Sequence, residues 1–166
     1  MDNSKKWIKV SELKYSFEVN GNPIGTMEII YSNLERKAIF TIENRKFTLN
    51  YLGFWKSNFE IRDENDVVIM HLYTEKWYAS STVLEYKGKK LKLKIRNNPL
   101  AEYVIFNGET ELLAYGLDTQ SGKVSVRIHS NSNDFLLDYL LWYVFVPIAQ
   151  ENMGDSFVFH TLLMNQ

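Results

Sequence analysis

The segment Phe135–Ala149 limits the possible folds more than any other stretch of the chain. It reads FLLDYLLWYVFVPIA and carries one charged residue, Asp138. Wound as a helix, it places Leu, Trp, Tyr and Phe on every face. No polar stripe is left for water, so such a helix is either enclosed in protein or spans a membrane. Spanning takes ~20 apolar residues for a hydrocarbon core ~30 Å thick. Pro147 biases Val146 away from helical geometry, and Phe135 to Val146 covers only about 18 Å at about 1.5 Å per residue. Asp138 would also be costly in lipid. A core helix over about 133–148 is therefore expected, ending or bending near Pro147, with no transmembrane segment. Ser130–Asp134 ahead of it offers several N-cap residues.

The rest of the chain has a different period. Short alternating apolar runs recur between turn residues, as in sandwiches and barrels. Tyr15, Phe17 and Val19 alternate before Asn20-Gly21, and Ile24–Tyr31 follows. Ala38, Phe40 and Ile42 are joined to Phe47, Leu49 and Tyr51 by a tight turn at Glu43-Asn44-Arg45. Gly53 interrupts the pattern. Phe59 and Ile61 precede the polar turn Asp63–Asp66, and the more continuously apolar Val67–Leu72 suggests burial on both faces or a central position. Trp77–Tyr86 reads as one strand or two halves, and Lys87-Gly88-Lys89 turns the chain. Leu91, Leu93 and Ile95 then alternate with Lys92, Lys94 and Arg96. Glu102–Phe106, Glu111–Leu117, Lys123–Ile128 and a last run at Ser156–Leu162 complete about a dozen strands.

A helix with no polar face must be surrounded, and an open sheet covers only one side of it. A closed barrel of about twelve strands leaves an interior wide enough to need filling. The expected fold class is mainly β: one domain over residues 1–166, a closed or nearly closed barrel of about twelve strands around a hydrophobic C-terminal helix.

Three local patterns carry a resemblance. Phe59-Glu60-Ile61-Arg62-Asp63-Glu64-Asn65 followed by Val67-Val68 is one strand–turn–strand, and Leu84-Glu85-Tyr86-Lys87-Gly88-Lys89-Lys90-Leu91 is another. Asn133-Asp134 leads into Phe135-Leu136-Leu137. Together with the element order they resemble the tubby C-terminal superfold, shared by tubby-like, LURP-one-related and scramblase proteins. That resemblance implies a twelve-stranded barrel around a near-C-terminal helix and a link to membrane lipid. Asn65-Asp66 stands where the family's first middle turn usually has glycine. No residues match the tubby phosphoinositide site.

Composition narrows the chemistry. With 19 basic and 20 acidic residues the net charge is −1, so no global charge draws the protein to nucleic acid. The absence of cysteine excludes disulfides, thiolate catalysis and Cys-type metal sites. The lysines near the N-terminus have no apolar run behind them, so the segment is not read as a signal peptide, and a cytoplasmic location is expected. His71, His129 and His160 lack ligand spacing. Asp63, Glu64, Asp66, Glu109 and Asp118 are read as solvated turn acids. Neither G-x-S-x-G nor a phosphate-binding glycine loop occurs. No catalytic residue, metal or cofactor is expected.

Two features remain. Asp138 inside an enclosed helix must be protonated, hydrogen-bonded or paired, and Arg127 or His129 is the expected partner. Lys90, Lys92, Lys94 and Arg96 share one parity of a strand, with Lys87 and Lys89 in the adjoining turn and Leu91, Leu93 and Ile95 toward the core. This row suits anionic headgroups, and it equally suits a strand protected from aggregation by its lysines. The functions to weigh are a non-enzymatic domain docking anionic lipid or a protein partner, an intracellular carrier of a small apolar ligand, and an enzyme with an unrecognised site. A carrier would need the Phe135 segment outside the barrel.

Overall fold

Hairpin follows hairpin from Lys5 to Ser130. A computed structural model describes residues 4–32, 35–52, 58–74, 81–96, 101–120 and 123–153. Its strands are β1 (Lys5–Ser11), β2 (Lys14–Val19), β3 (Asn22–Ser32), β4 (Glu35–Ile42), β5 (Arg45–Leu52) and β6 (Asn58–Arg62). There follow β7 (Val68–Tyr73), β8 (Ser81–Tyr86), β9 (Lys89–Arg96), β10 (Glu102–Asn107), β11 (Thr110–Gln120) and β12 (Lys123–Ser130), then the helix α1 (Phe135–Met153). Sheet order equals chain order across all 12 strands, and each neighbouring pair is antiparallel. The tight turns Glu43-Asn44 (φ 48° and 68°) and Lys87-Gly88 (φ 51° and 71°) hold both central residues in the left-handed region. That geometry matches the right-handed twist of the flanking strands.

The sheet curls into a nearly closed barrel, with β1 and β12 at its ends. Among the described residues no backbone ladder joins these two strands. Side chains bridge them instead: Lys5 Nζ on β1 donates to Ser130 Oγ at the end of β12 (2.8 Å) and to the Ser132 carbonyl (2.8 Å).

The helix fills the interior. Leu136 through Tyr143 are buried, none more than 5 % exposed. Rings from many strands meet it. Trp7 of β1 stacks on Trp142 (centroids 5.3 Å, planes 6° apart) and meets Tyr139 edge-on at 4.8 Å. Phe40 of β4, Phe59 of β6, and Tyr103 and Tyr115 of β10 and β11 pack on Tyr139, Tyr143 and Phe145 from other sides. Such aromatic pairs contribute roughly 0.5–1.5 kcal/mol each beyond the area they bury. Against β3 the approach is closest at Gly25. There the Tyr139 hydroxyl donates to the Thr41 carbonyl (3.3 Å), and a Cβ on Gly25 would lie 1.8 Å from that carbonyl oxygen.

The helix does not end near Pro147: α1 continues through it to Met153. Proline has no N–H, so the carbonyl four residues back, that of Tyr143, loses its helical donor. Arg36 of β4 takes that place. Its Nη2 donates to the Tyr143 carbonyl (3.2 Å), its guanidinium lies 4.3 Å from the Tyr143 ring centroid, and the Tyr143 hydroxyl donates to the Arg36 carbonyl (3.1 Å). The barrel wall thus repairs the helix at its weakest point. Among the described residues, no helix is long and apolar enough to cross a membrane.

Other expectations need revision. β1 adds a strand that the alternation did not mark. Val67 and Val68 are 55 % and 43 % exposed, so β7 is not buried on both faces, while its central position holds, between β6 and β8. The two valines sit at the turn into the strand; Met70 and Leu72 are buried in the core and Ile69 packs against it. Gly53 and the run Ser156–Leu162 lie outside the described residues, as does the first part of Trp77–Tyr86.

Replacing Arg36 by Met leaves a carbonyl without a donor and should cost about 1–3 kcal/mol in urea unfolding. In a Pro147→Ala background, where the N–H is restored, the same change should cost measurably less. Gly25→Ala forces backbone apart and should cost about 3 kcal/mol or prevent folding. Gly116→Ala meets only side-chain atoms of Glu102, the nearest at 3.2 Å, rather than backbone, and should be milder in the same assay.

Candidate functional site

The basic row forms as its period predicts. Leu91 and Leu93 point inward at 3 % and 7 % exposure, while Lys89, Lys90, Lys92, Lys94 and Arg96 are exposed. Ile95 is the exception. It was expected in the core and is 57 % exposed, because β9 there runs past Ser81–Lys94, the last described pair with β8.

The row is less free than its sequence suggests. Lys87 in the turn donates to Asp134 Oδ2 (2.7 Å), which raises its pKa, and it lies 4.9 Å from the Tyr86 ring. Lys90 faces Glu85 at 3.4 Å, and the hydrogen bond to that carboxylate raises its pKa as well. Arg96 pairs with Glu102 (3.1 Å) and with Glu111, and Lys94 sits over the Phe106 ring at 5.3 Å. Among the described residues only Lys89 and Lys92 of the six have neither a carboxylate nor a ring partner. The outward face beneath the row is partly apolar. Val83 lies opposite Lys92 and Val104 opposite Lys94, and both are buried. Lysine stems can cover such apolar surface while their ammonium groups stay in water.

Next to the row, Glu102 is only 5 % exposed. Arg96 from β9 and Arg127 from β12 (2.9 Å) hold its carboxylate over Gly116, where the missing side chain makes room. Arg127 is thereby committed, and it is not the partner of Asp138.

That partner is Lys5. Asp138 is fully buried, and Lys5 Nζ donates to its Oδ2 at 2.8 Å. Tyr115 donates to Oδ1 (3.0 Å) and itself accepts from Trp7 Nε1 (2.9 Å). The three ammonium hydrogens of Lys5 are accounted for by Asp138, Ser130 and Ser132. The expected partners, Arg127 and His129, were chosen for closeness in sequence. Lys5 is 133 residues away and comes near only because β1 closes the barrel. Burial outweighs the Lys5 charge and pushes the Asp138 carboxyl up from 3.8 to about 6. Burial and the adjoining carboxylate also push the Tyr115 hydroxyl well above its ordinary value.

The other candidates stay apart. His71 packs beside Tyr73 (5.0 Å), His129 is exposed, and His160 is outside the described residues. Asp63 accepts the Asn65 and Val67 N–H groups and so shapes its own turn. Asp118 lies on β11, not in a turn, and accepts from Thr119 N–H. Among the described residues no three His, Asp or Glu side chains are grouped to hold a metal. No protein-family model, no curated protein and no solved structure matches the chain.

The Lys5–Asp138 pair yields a graded prediction. Asp138→Ala strands a buried ammonium and should cost about 3–5 kcal/mol. Lys5→Met lets the carboxyl take a proton and should raise its pKa further, read by NMR titration. The pH dependence has a fixed sign. A folded-state pKa above the unfolded one means the folded protein holds the proton more tightly, so stability falls as pH rises from about 4 to 6. Relative to Asp138→Asn, the wild type should gain about 2 kcal/mol between pH 7 and pH 4 in urea unfolding.

Proposed function

We propose that this protein is a non-enzymatic binding domain whose barrel exterior docks an anionic membrane surface, with Lys89, Lys92 and Lys94 of β9 as the contact. The observation that carries this is the run of exposed cations on β9 in a chain of net charge −1, of which Lys89, Lys92 and Lys94 have no carboxylate partner among the described residues. Near an anionic bilayer each such cation is worth roughly 1 kcal/mol. Membership of the tubby and LURP-one superfold is part of the same proposal. Twelve strands around an enclosed helix support it, though a fold does not fix a function. A cytoplasmic setting belongs to the proposal too, supported by the lack of cysteine. An apolar-ligand carrier is less favoured, because α1 occupies the space such a ligand would need.

Liposome co-sedimentation tests the proposal. Vesicles of neutral lipid should leave the protein in the supernatant. Vesicles with phosphatidylserine or phosphoinositide should pellet it, less so at physiological salt than at low salt. Changing Lys89, Lys92 and Lys94 together to Glu should abolish pelleting without altering the melting temperature. No pelleting at either salt would remove membrane docking and leave β9 as a solubility device, with a protein partner the next object of search.

A further inference from the structure

The end of the barrel where α1 begins holds an open recess of about 600 Å³. Its lining is mixed, with an apolar floor and the polar side chains of Glu43, Arg45, Lys87, Asn133 and Asp134 around it. Ile42 and Phe47 come from β4 and β5, Ile69 from β7 and Leu136 from the first turn of α1. Ile42, Phe47 and Leu136 belong to the continuous core and show only a small edge to the recess, at 7 %, 6 % and 5 % exposure.

The charges at the rim are unevenly committed. Asp134 accepts from the Tyr86 hydroxyl (3.0 Å) and from Lys87 (2.7 Å), so that acid and that base cancel. Across the recess, Arg45 rests over the Phe47 ring at 5.1 Å and has no carboxylate partner among the described residues. Glu43, exposed in the same turn, forms no ion pair with it. An unpaired guanidinium held above an apolar wall presents one charge and one greasy surface to the same ligand. A second recess continues past the shared residues Ile69 and Tyr86 and is lined by Val68 and the unpaired Lys89.

We infer that this recess binds an anionic amphiphile, with a carboxylate or phosphate head on Arg45 and an apolar chain along Ile42, Phe47, Ile69 and Leu136. A neutral amphiphile would keep the chain contact but leave Arg45 unmatched. A cationic one would be repelled by it. Glu43 works against the anionic head, so removing its charge strengthens binding. The recess is at the barrel end and does not use Lys92 or Lys94, so the site stands or falls apart from docking through β9.

The test uses the whole chain with three probes of equal chain length: decanoate, decanol and decyltrimethylammonium. Calorimetric titration should give decanoate an affinity about tenfold above decanol, the worth of one charge-assisted contact, with the cation weaker still. Arg45→Gln, at an exposed position, should bring decanoate down to the decanol level and leave decanol unchanged, while Glu43→Gln should tighten decanoate. The Lys89, Lys92 and Lys94 to Glu variant should keep most decanoate affinity. Displacement of decanoate by phosphatidylserine vesicles would mark a membrane lipid as the source of the head group. Failure of the vesicles to displace it would mark a free acid. Equal binding of all three probes, no binding of decanoate, or an unaltered Arg45→Gln variant would overturn the inference.

Discussion

The structure depends on enclosing a helix that has nothing to offer water. Every turn of α1 from Leu136 to Val146 needs apolar neighbours, and no single sheet face supplies them all round. The strands curl because the helix must be covered, and the helix is ordered because the barrel surrounds it. Trp7, Phe40, Phe59, Tyr103 and Tyr115 reach it from different parts of the wall, so wall and filler are one core. The aromatic richness of the chain follows from this. Large rings span the distance from wall to axis with few rotatable bonds.

Enclosure creates polar liabilities, and two of them are met by residues from the wall. Pro147 leaves a carbonyl without a donor inside the barrel, and Arg36 supplies one. Asp138 brings a carboxylate into the interior, and Lys5, Tyr115 and Trp7 satisfy it. The second arrangement has a further effect. Lys5 also grips Ser130 and Ser132, so the acid of the helix fastens the two ends of the sheet where backbone pairing does not. Buried ion pairs add little net stability but are costly to break. Here the pair sets which strands meet.

Much of the architecture was legible in the sequence because it rests on local pattern. The apolar helix, the two-residue turns at Glu43-Asn44 and Lys87-Gly88, and the parity of Leu91 and Leu93 against Lys92 and Lys94 depend only on near neighbours. What was missed depends on the closed barrel. β1 did not read as a strand because its inward residues are Lys5 and Trp7 while Ile8 is turned away, an inversion that makes sense only beside a buried acid. The partner of Asp138 and the survival of α1 past Pro147 both come from side chains more than 100 residues distant. Ile95 and Val68 are apolar yet exposed, and each lies at or next to the end of its strand. The recess at the mouth combines a hairpin, a strand and a helix start, and no spacing along the chain announces it.

The order of elements along the chain has a consequence for biogenesis. Each strand pairs with the one made just before it, so the wall can assemble hairpin by hairpin as it leaves the ribosome. The filler, however, is translated after all twelve strands. Until it emerges, the nascent wall has an apolar inner surface and nothing to place against it, and Lys5 has no acid to close the seam. At the twelve-stranded stage the apolar inner wall is therefore uncovered, and the docking of α1 is what covers it.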